Sequence, residues 1–354
     1  MKIAQVAPLY EAVPPFLYGG TERIVSYLAE GLIKQGHEVT LFASGDSQTS
    51  AELVPVVEKA IRLDPDCMDP LAPHIVEMKY VLDRAEEFDI IHFHTDYLHF
   101  PFSQTMKTPH VTTLHGRLDI PELQMVYNSF NHPVISISDS QRGPLKQANF
   151  VGTVYHGLPV NLLSPGKGVG GYLAFLGRVS PEKGVDKAIE WAKAANVPLK
   201  IAAKIDKVDT DYFKQEIEPL LSHPLIEFVG EINEHQKNDF LGNAAALLFP
   251  INWCEPFGMV MIEAMACGTP VIAHGMGSVP EIIEEGVNGF IVSSTKEAAY
   301  VIRQLKNYDR SVIRHSFEQR FTSDRMCTDY VNLYKKLRAQ TNSKTSHLRV
   351  SGAA

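Results

Sequence analysis

The sequence predicts an α/β protein made of two domains, each built on a sheet of parallel strands. Its length of 354 residues exceeds the usual size of a single domain. Short apolar strands alternate with amphipathic helices in both halves of the chain, which is typical of parallel sheets. A stretch rich in glycine and proline, residues 157–171, separates the two halves and marks a domain boundary.

We place this boundary after Leu163, so that the N-terminal domain covers residues 1–163 and the C-terminal domain residues 164–320. Residues 321–338 carry apolar side chains at helical spacing, and we expect this C-terminal helix to pack back on the N-terminal domain. The remaining residues, 339–354, are polar and small, which is typical of a disordered tail.

The composition excludes several classes of protein. A net charge of -8 argues against a general nucleic-acid-binding protein. The four cysteines are scattered without zinc spacing, which favours free thiols in a reducing compartment. No apolar run approaches the roughly 20 residues that span a membrane. We therefore expect a cytoplasmic protein. Basic residues dominate after residue 300, which leaves peripheral contact with the inner membrane face open.

The first half begins with a strand, a loop, a helix and a second strand. The strands are predicted at residues 3–7 and 37–43, with the helix at 21–35. Gly19 and Gly20 precede the helix, at the edge where open α/β sheets bind ligands. Their spacing is not GxGxxG, so a nicotinamide dinucleotide is not indicated. Taken alone, the two glycines favour a flexible turn.

Four further strands complete the predicted first sheet. They are expected at residues 90–94, 111–115, 134–138 and 152–156, after a helical segment at 74–88. The polar residues 46–69 are expected to form an irregular surface excursion.

Three histidines lie at the ends of these strands. His115 ends its strand and is followed by a glycine, so we expect it to face the ligand crevice. His92 and His94 share one face of their strand, but no third ligand follows nearby, and a zinc site is not expected.

The second half repeats the α/β pattern. Its strands are predicted at residues 172–176, 199–203, 226–229, 245–250 and 271–273. The loop 177–184 follows the first of these strands and carries Arg178 and Lys183. Both side chains can bind phosphate, although two solvated loop cations are the ordinary alternative. Their place at the carboxyl end of a strand favours a phosphate site.

An apolar helix predicted at residues 259–267 carries one acid, Glu263. Because burying an unpaired carboxylate is costly, we expect Glu263 to have dedicated partners, either protein donors or ligand hydroxyls. Glu255 and Gly258 lie at the helix start, where unpaired N–H groups can receive a ligand. Either acid alone could be a helix cap or a satisfied core acid. The pair favours a ligand with hydroxyls and phosphates, such as a nucleotide sugar.

With these motifs the chain resembles the retaining glycosyltransferases of family 4, which have the GT-B fold. Four motifs carry the resemblance: Gly19-Gly20-Thr21-Glu22, Thr113-Leu114-His115-Gly116, Gly177-Arg178 with Lys183-Gly184, and Glu255-Pro256-Phe257-Gly258 leading to Glu263. The last is the E-x7-E element of that family. The resemblance covers about residues 1–338 and implies two Rossmann-like domains with parallel sheets facing across a crevice.

The resemblance also implies a role for each matching residue. Arg178 and Lys183 would hold the donor diphosphate and stabilise the leaving group. Glu263 would bind the ribose hydroxyls, Glu255 the transferred sugar, and His115 would lie at the reaction centre. We take His115, Arg178, Lys183 and Glu255 as the catalytic residues. The further donor-binding positions are Gly19, Gly20, Lys204, Gly230, Glu231, Pro256, Phe257, Gly258 and Met259, with Val279 lining the same crevice.

The resemblance implies a retaining hexosyltransferase that uses a nucleotide sugar. We favour a UDP-sugar, with ADP- and GDP-sugars open, and the acceptor is an unidentified small molecule, glycan or lipid. Two fixed cations can stabilise a leaving diphosphate without a metal, so no metal or cofactor is expected. The hinge His156-Gly157-Leu158-Pro159 departs from the Asn-Gly-Val-Asp of many relatives, and no role is carried over there.

Other functions are weighed against this prediction. A catalytically silent GT-B subunit would be favoured by a substitution at Arg178, Lys183 or Glu263, and none is present. A GT-B sugar-nucleotide epimerase stays open. A phosphorylase needs a lysine-bound pyridoxal phosphate, for which we find no motif, and two acids alone would also fit a glycosidase. Release of a nucleoside diphosphate distinguishes the transferase from these alternatives.

Overall fold

The computed structural model of the protein describes residues 1–16, 19–305 and 308–351, and the side chains of these residues except 63 and 342–351. The chain divides into two compact units. The first comprises Met1–Gly157 together with the segment that begins at Ser323. The second comprises Leu158–Thr322.

The two units divide after Gly157, whereas the sequence analysis placed the boundary after Leu163. The Leu158 N–H donates to the Phe321 carbonyl oxygen at 2.9 Å. Arg314 donates to the carbonyl oxygens of Leu163 and Val160 at 2.8 and 2.6 Å. These long-range hydrogen bonds attach the start of the glycine- and proline-rich stretch to the second unit, and composition alone could not reveal them.

The first unit contains a sheet of seven parallel strands. They are β1 (Lys2–Val6), β2 (Glu38–Ser44), β3 (Glu52–Val57), β4 (Ile90–Phe93), β5 (His110–Thr113), β6 (Val134–Ser136) and β7 (Phe150–Thr153). Their order across the sheet is β3-β2-β1-β4-β5-β6-β7. The order reverses between β1 and β4, and in open α/β sheets ligands bind at the carboxyl ends of strands at such a switch point.

Strand β3 corrects the sequence prediction, which treated residues 46–69 as irregular. It pairs in parallel with β2 and forms one edge of the sheet. Pro55 lies inside the strand and lacks a backbone donor, which an edge strand tolerates and a central strand does not. The proline and the polar flanks therefore hid a strand that only sheet pairing reveals.

In the described part of residues 1–157, four α-helices accompany the strands. They are α1 (Gly20–Lys34), α2 (Leu71–Asp83), α3 (Phe100–Ser103) and α4 (Leu123–Ser129). Helix α1 buries Ile24, Leu28 and Leu32 completely, at the spacing of one helical face. Its first residue follows the loop after β1, so the predicted strand–loop–helix unit is present.

The second unit contains a sheet of six parallel strands. They are β8 (Leu173–Arg178), β9 (Leu199–Lys204), β10 (Ile226–Gly230), β11 (Ala246–Phe249), β12 (Val271–His274) and β13 (Gly289–Val292). Their order is β10-β9-β8-β11-β12-β13, with the reversal between β8 and β11. The loops that follow β8 and β11 thus meet at the switch point of this sheet.

Among the described residues of the second unit, seven α-helices accompany the sheet. They are α5 (Val185–Ala195), α6 (Thr210–Tyr212), α7 (Glu234–Gly242), α8 (Met259–Ala266), α9 (Val279–Ile282), α10 (Thr295–Gln304) and α11 (Arg310–Arg320). Trp191 of α5 packs with Ile201 and Leu248 of the strands in one apolar core. This core fixes the strand ends from which the loops project.

The last helix, α12 (Ser323–Ser351), belongs to the first unit and packs against α1. The contact is close at Gly31, where a Cβ atom would lie 2.3 Å from the Cys327 sulfur. Tyr330 and Tyr334 of this helix are fully buried.

Helix α12 is longer than the sequence indicated. Its backbone remains helical to Ser351, where we predicted a disordered tail from residue 339. No glycine or proline interrupts the chain between Ser323 and Gly352, so no local signal ends the helix earlier. Residues 352–354 lie outside the described residues. Within the described chain, none of the helices combines the length and apolar character needed to cross a lipid bilayer.

Candidate active site

Two cations lie side by side at the carboxyl ends of β8 and β9. Arg178 and Lys204 are register partners across these strands. The Arg178 guanidinium lies 2.6 Å from Glu182 and 3.5 Å from Asp206, and the Lys204 ammonium lies 3.1 Å from Asp206. Burial raises the pKa of the Glu182 carboxyl, but hydrogen bonds and the charge of Arg178 outweigh it and lower that pKa. Acidic neighbours therefore hold both cations at the strand ends.

Lys183 makes an ion pair with Glu255 of the loop after β11. The Nζ atom lies 2.5 Å from Oε2 of Glu255, and the side chains are 19% and 10% exposed. The Trp253 indole N–H donates to the same oxygen at 3.0 Å. Its ring also lies under the Lys183 ammonium, 4.8 Å from the ring centroid. One aromatic residue thus contacts both members of the pair.

The backbone holds the two loops together. Gly184 has a left-handed φ of 70°, and a Cβ atom there would lie 2.3 Å from the Pro250 carbonyl oxygen. The Asn252 N–H donates to the Glu182 carbonyl oxygen at 2.8 Å. A residue with a side chain at position 184 would separate the loops, which explains the glycine that ends the predicted 177–184 loop.

A third loop, after β12, braces Glu255. Gly277 approaches so closely that a Cβ atom would lie 2.3 Å from the Glu255 backbone nitrogen. The Ser278 N–H donates to the Glu255 carbonyl oxygen at 3.0 Å, and its hydroxyl donates to the Phe257 carbonyl oxygen at 2.8 Å. These contacts fix the backbone from which the Glu255 side chain projects.

Glu263 lies on α8 and is buried, as its apolar helix predicted. Its partner is Lys237 of α7, whose ammonium lies 2.7 Å from Oε1 of Glu263. The two side chains are 6% and 16% exposed. We expected protein donors or ligand hydroxyls as partners of Glu263, and the structure provides the first of these. Sequence reasoning missed Lys237, because 26 positions separate the two residues and no local pattern connects them.

The start of α8 is shaped by a glycine. Gly258 has a left-handed φ of 80°, and a Cβ atom there would lie 3.1 Å from the Phe249 ring. Pro256 and Phe257 are buried, while Met259, the first residue of the helix, is partly exposed. The first N–H groups of an α-helix have no partner within the helix, so this end can donate to an anionic or hydroxyl oxygen.

Three other predicted positions, Gly230, Glu231 and Val279, take no part in the ion pairs described above. Gly230 ends β10 with a left-handed φ of 77°, and Glu231 after it is exposed. Val279 begins α9 and is fully buried, so its side chain packs in the core. That Val279 lines a ligand crevice stays a prediction.

The first unit carries the remaining predicted residues. Gly19 and Gly20 follow β1, at one of the two strands that flank the switch point. A Cβ atom on Gly19 would lie 2.7 Å from Pro15, whereas Gly20 is exposed with open space around it. Glycine at position 19 is therefore required by the fold, and glycine at position 20 leaves the start of α1 accessible.

His115 follows β5, and His94 follows β4. Nδ1 of His94 and Nε2 of His115 are 2.8 Å apart. The ring of His115 also stacks on His156 with 5.3 Å between centroids. Burial lowers the pKa of His115 to about 3, so the imidazole is neutral at physiological pH. Its Nδ1 atom is buried and has no hydrogen-bond partner among the described residues.

The sequence predicts no zinc site at His92 and His94. In the part of the chain that the structure describes, no group of three or more His, Cys, Asp or Glu residues is arranged to hold a metal ion.

Two family models match the chain, one in each unit. The model described as "Glycosyltransferase Family 4" matches residues 18–151, and that described as "Glycosyl transferases group 1" matches residues 168–319. Together they cover well over half of the chain. The first match begins after β1 and ends at the start of β7, and the second contains all six strands of the second sheet. The predicted site residues lie within the two matched ranges.

Similar proteins cover almost the whole chain. An uncharacterized glycosyltransferase of Methanocaldococcus jannaschii is 25% identical over 95% of this chain and 98% of its own length. A phosphatidyl-myo-inositol mannosyltransferase of Mycobacterium leprae is 25% identical over 84% of this chain and 85% of its own length. The crystal structure of Anabaena HepE in complex with UDP and glucose superimposes with a TM-score of 0.72 at 20% identity, covering 95% of this chain and 100% of that chain.

Proposed function

Because the chain belongs to the family 4 glycosyltransferases and has the GT-B fold, we propose that it transfers a hexosyl group from a nucleotide sugar to a hydroxyl acceptor. In this proposal a UDP-sugar is the preferred donor. The anomeric configuration is retained, and no metal ion is required. The glycosidic bond to the diphosphate breaks, a bond to the acceptor oxygen forms, and the acceptor proton leaves with the diphosphate.

The observation that carries the proposal is the meeting of the loops after β8 and β11. These loops bring Arg178, Lys183 and Glu255 to the switch point of the second sheet. A leaving diphosphate gains negative charge as the glycosidic bond breaks. Cations that are already held in place stabilise this charge without reorganisation, which makes them effective in the transition state.

The acids of the second unit suit the uncharged parts of the donor. In our proposal Glu263 accepts hydrogen bonds from the ribose hydroxyls, and Glu255 accepts them from the transferred sugar. Both carboxylates are already paired with a lysine, Lys237 and Lys183 respectively. Each carboxylate has a second oxygen for a hydroxyl donor, so a ligand can bind without leaving either charge unpaired.

The preference for UDP is supported by the HepE complexes, which contain UDP or UDP-glucose. A hydroxyl acceptor agrees with the phosphatidyl-myo-inositol mannosyltransferase, whose name describes transfer of mannose to an inositol lipid. The acceptor of this chain stays undefined, and a lipid, a glycan and a small polyol fit the proposal equally.

The proposal is tested with a panel of UDP-, GDP- and ADP-hexoses. Ligands that bind only the native state raise the melting temperature, so a thermal-shift screen ranks the donors first. Release of nucleoside diphosphate is then measured with the best donor, with and without EDTA, and the anomer of the product is determined by NMR. We expect a UDP-hexose to give the largest shift, EDTA to leave turnover unchanged, and the product to keep the donor configuration.

Each part of the proposal can fail separately. Binding without turnover across a broad acceptor set would identify a silent binding subunit, and a converted sugar nucleotide without transfer would identify an epimerase. A larger response to a GDP- or ADP-sugar would replace the UDP preference. Loss of activity in EDTA that Mg²⁺ restores would overturn metal independence.

A further inference from the structure

A chain of buried hydrogen bonds connects helix α12 to His115. Gln5 of β1 donates from Nε2 to the Tyr334 hydroxyl at 3.2 Å. Its Oε1 atom lies 2.8 Å from Nε2 of His94, and Nδ1 of His94 lies 2.8 Å from Nε2 of His115. Gln5, His94 and Tyr334 are at most 2% exposed. We call Gln5, His94, His115 and Tyr334 the histidine relay.

With the Gln5 amide oriented as in the structure, the relay specifies which nitrogen of His115 carries the proton. The Gln5 amide oxygen can only accept, so His94 must donate from Nε2. Burial keeps His94 neutral, because it lowers the pKa of this imidazole well below its ordinary value. A neutral imidazole has one N–H, so Nδ1 of His94 is an acceptor, and Nε2 of His115 must donate to it. His115 is neutral as well, and its Nδ1 therefore carries a lone pair and no proton.

The structure orients the Gln5 amide with its nitrogen towards the Tyr334 hydroxyl and its oxygen towards His94. The opposite orientation would turn the amide nitrogen towards His94 and reverse both imidazoles. A phenol can donate as well as accept, so the orientation in the structure requires that Tyr334 accept from Gln5 and give its own proton to Nδ1 of His92. In this arrangement the phenol contributes to a tautomer three hydrogen bonds away.

A second branch satisfies the neighbouring histidine. His92 lies 2.7 Å from the Tyr334 hydroxyl through Nδ1 and 2.7 Å from the Thr113 hydroxyl through Nε2. Thr113 in turn lies 3.0 Å from the Tyr330 hydroxyl. All four nitrogens of His92 and His94 are therefore engaged by protein atoms. The one ring nitrogen of the relay that has no protein partner among the described residues is Nδ1 of His115.

We propose that Gln5, His94 and Tyr334 are positioning residues that hold His115 as the Nε2–H tautomer, so that its Nδ1 accepts a hydrogen bond from a substrate hydroxyl. This inference rests on the proposed glycosyltransferase function, since a sugar supplies the hydroxyl. The other tautomer would donate its N–H to the hydroxyl oxygen, which reverses the direction of the hydrogen bond. In this proposal only the tautomer that accepts from the hydroxyl supports turnover.

The first experiment measures the tautomer in the free protein, without any donor. Long-range ¹⁵N–¹H correlation spectra of protein labelled at histidine identify the protonated nitrogen of each ring, and the His115→Gln variant assigns the His115 signals. We expect His115 of the wild type to be protonated at Nε2. A wild-type protein protonated at Nδ1 would overturn the inference, whatever the protein transfers.

The second experiment removes parts of the relay. Gln5→Leu and Tyr334→Phe should each leave both tautomers of His115 populated. Turnover per molecule then falls by about twofold or more, because only the fraction with an unprotonated Nδ1 is competent. Tyr330→Phe is the matched control: it removes a phenol of equal burial from the same helix but outside the relay. It should leave the tautomer and the turnover as in the wild type.

The melting temperatures of the three variants show whether a loss of turnover comes from a loss of stability or from a change in the tautomer of His115. A relay variant that keeps the wild-type tautomer, or that changes the tautomer without loss of turnover, would contradict the inference. Equal loss of turnover in Tyr330→Phe and Tyr334→Phe, in step with their melting temperatures, would assign the residues a structural role only. If the protein transfers no glycosyl group at all, the tautomer measurement still decides the first half of the inference.

Discussion

Lys183 and Glu255 form an ion pair that joins the two loops at the switch point of the second sheet. Their charged atoms are 2.5 Å apart, and both side chains are largely buried. The lysine is the cation that we assign to the leaving diphosphate, and the glutamate is the acid that we assign to the transferred sugar. The pair therefore couples the position of one group to that of the other before any donor binds.

Replacing Lys183 by alanine should lower turnover by at least about tenfold, or roughly 1.4 kcal/mol of transition-state stabilisation. The reason is the loss of a fixed positive charge next to the leaving group. Release of nucleoside diphosphate under saturating donor measures the effect. Lys193→Ala, on the exposed face of α5, removes the same charge elsewhere and should match the wild type. Wild-type turnover in Lys183→Ala would remove Lys183 from the catalytic residues.

Trp253→Phe should lower kcat/KM by about threefold to tenfold, since one hydrogen bond to a carboxylate is lost. The phenyl ring keeps an aromatic face for Lys183 but has no N–H for Glu255. Trp253→Leu removes both contacts and should be more severe. Steady-state kinetics of the two variants checks this order, provided that their melting temperatures are equal. Equal activity of Trp253→Phe and the wild type would show that the indole N–H does not position Glu255.

Lys237→Met should destabilise the second unit by about 3 kcal/mol or more, because it leaves the Glu263 carboxylate buried without a counter-charge. The double variant Lys237→Met/Glu263→Gln removes the buried charge as well and should regain most of that stability. Urea denaturation of the four proteins of this cycle measures the coupling. A double variant no more stable than Lys237→Met would contradict the pairing. Donor binding should stay weak in the double variant, since Glu263 is assigned to the ribose.

Glu77 gives a prediction about pH. Neither of its carboxyl oxygens has a hydrogen-bond partner among the described residues, and burial raises its pKa well above the ordinary value of 4.5. The folded protein thus keeps a proton that the unfolded chain releases as the pH rises above about 4.5, so Glu77 makes stability fall with rising pH. Each pKa unit between the two states corresponds to about 1.4 kcal/mol.

Glu77→Gln should therefore be more stable than the wild type at pH 8, with the difference vanishing at pH 4. A shift of about 3 °C in Tm for each kcal/mol is expected for a unit of this size. Glu86→Gln, at an exposed position nine residues further along the chain, should leave Tm unchanged at both pH 4 and pH 8. A Tm difference for Glu77→Gln that does not change with pH would show that the carboxyl does not titrate in this range.

The strand ends were predictable because their signals are local. Apolar runs followed by glycine located the loops that hold Arg178, Lys183 and Glu255, and the buried acid on α8 indicated that Glu263 needs a partner. The identity of that partner was not predictable, since Lys237 meets Glu263 only through packing of α7 on α8. Trp253 adjoins Glu255 in the sequence, yet its double contact depends on the course of the loop.

The histidine relay shows where sequence reasoning ends. His92, His94 and His115 were recognised as strand-end residues, and His115 was expected to face the ligand crevice, but no protein partners were predicted for His92 and His94. The first two are instead satisfied by protein groups, and Tyr334 lies 242 positions from His92. The Tyr330 and Tyr334 pattern predicted an apolar helix face. Whether a buried tyrosine only packs or also bonds depends on the groups across the interface, which a helical period does not specify.

The return of α12 to the first unit has a consequence for biosynthesis. Gln5 and Tyr334 are separated by 329 positions, and the second unit lies entirely between the two segments of the first. A ribosome that has released residues 1–157 has not yet translated the helix that covers β1 and β4. The second unit is continuous in the chain, so it can complete its fold before α12 is translated, whereas the first must wait for that helix.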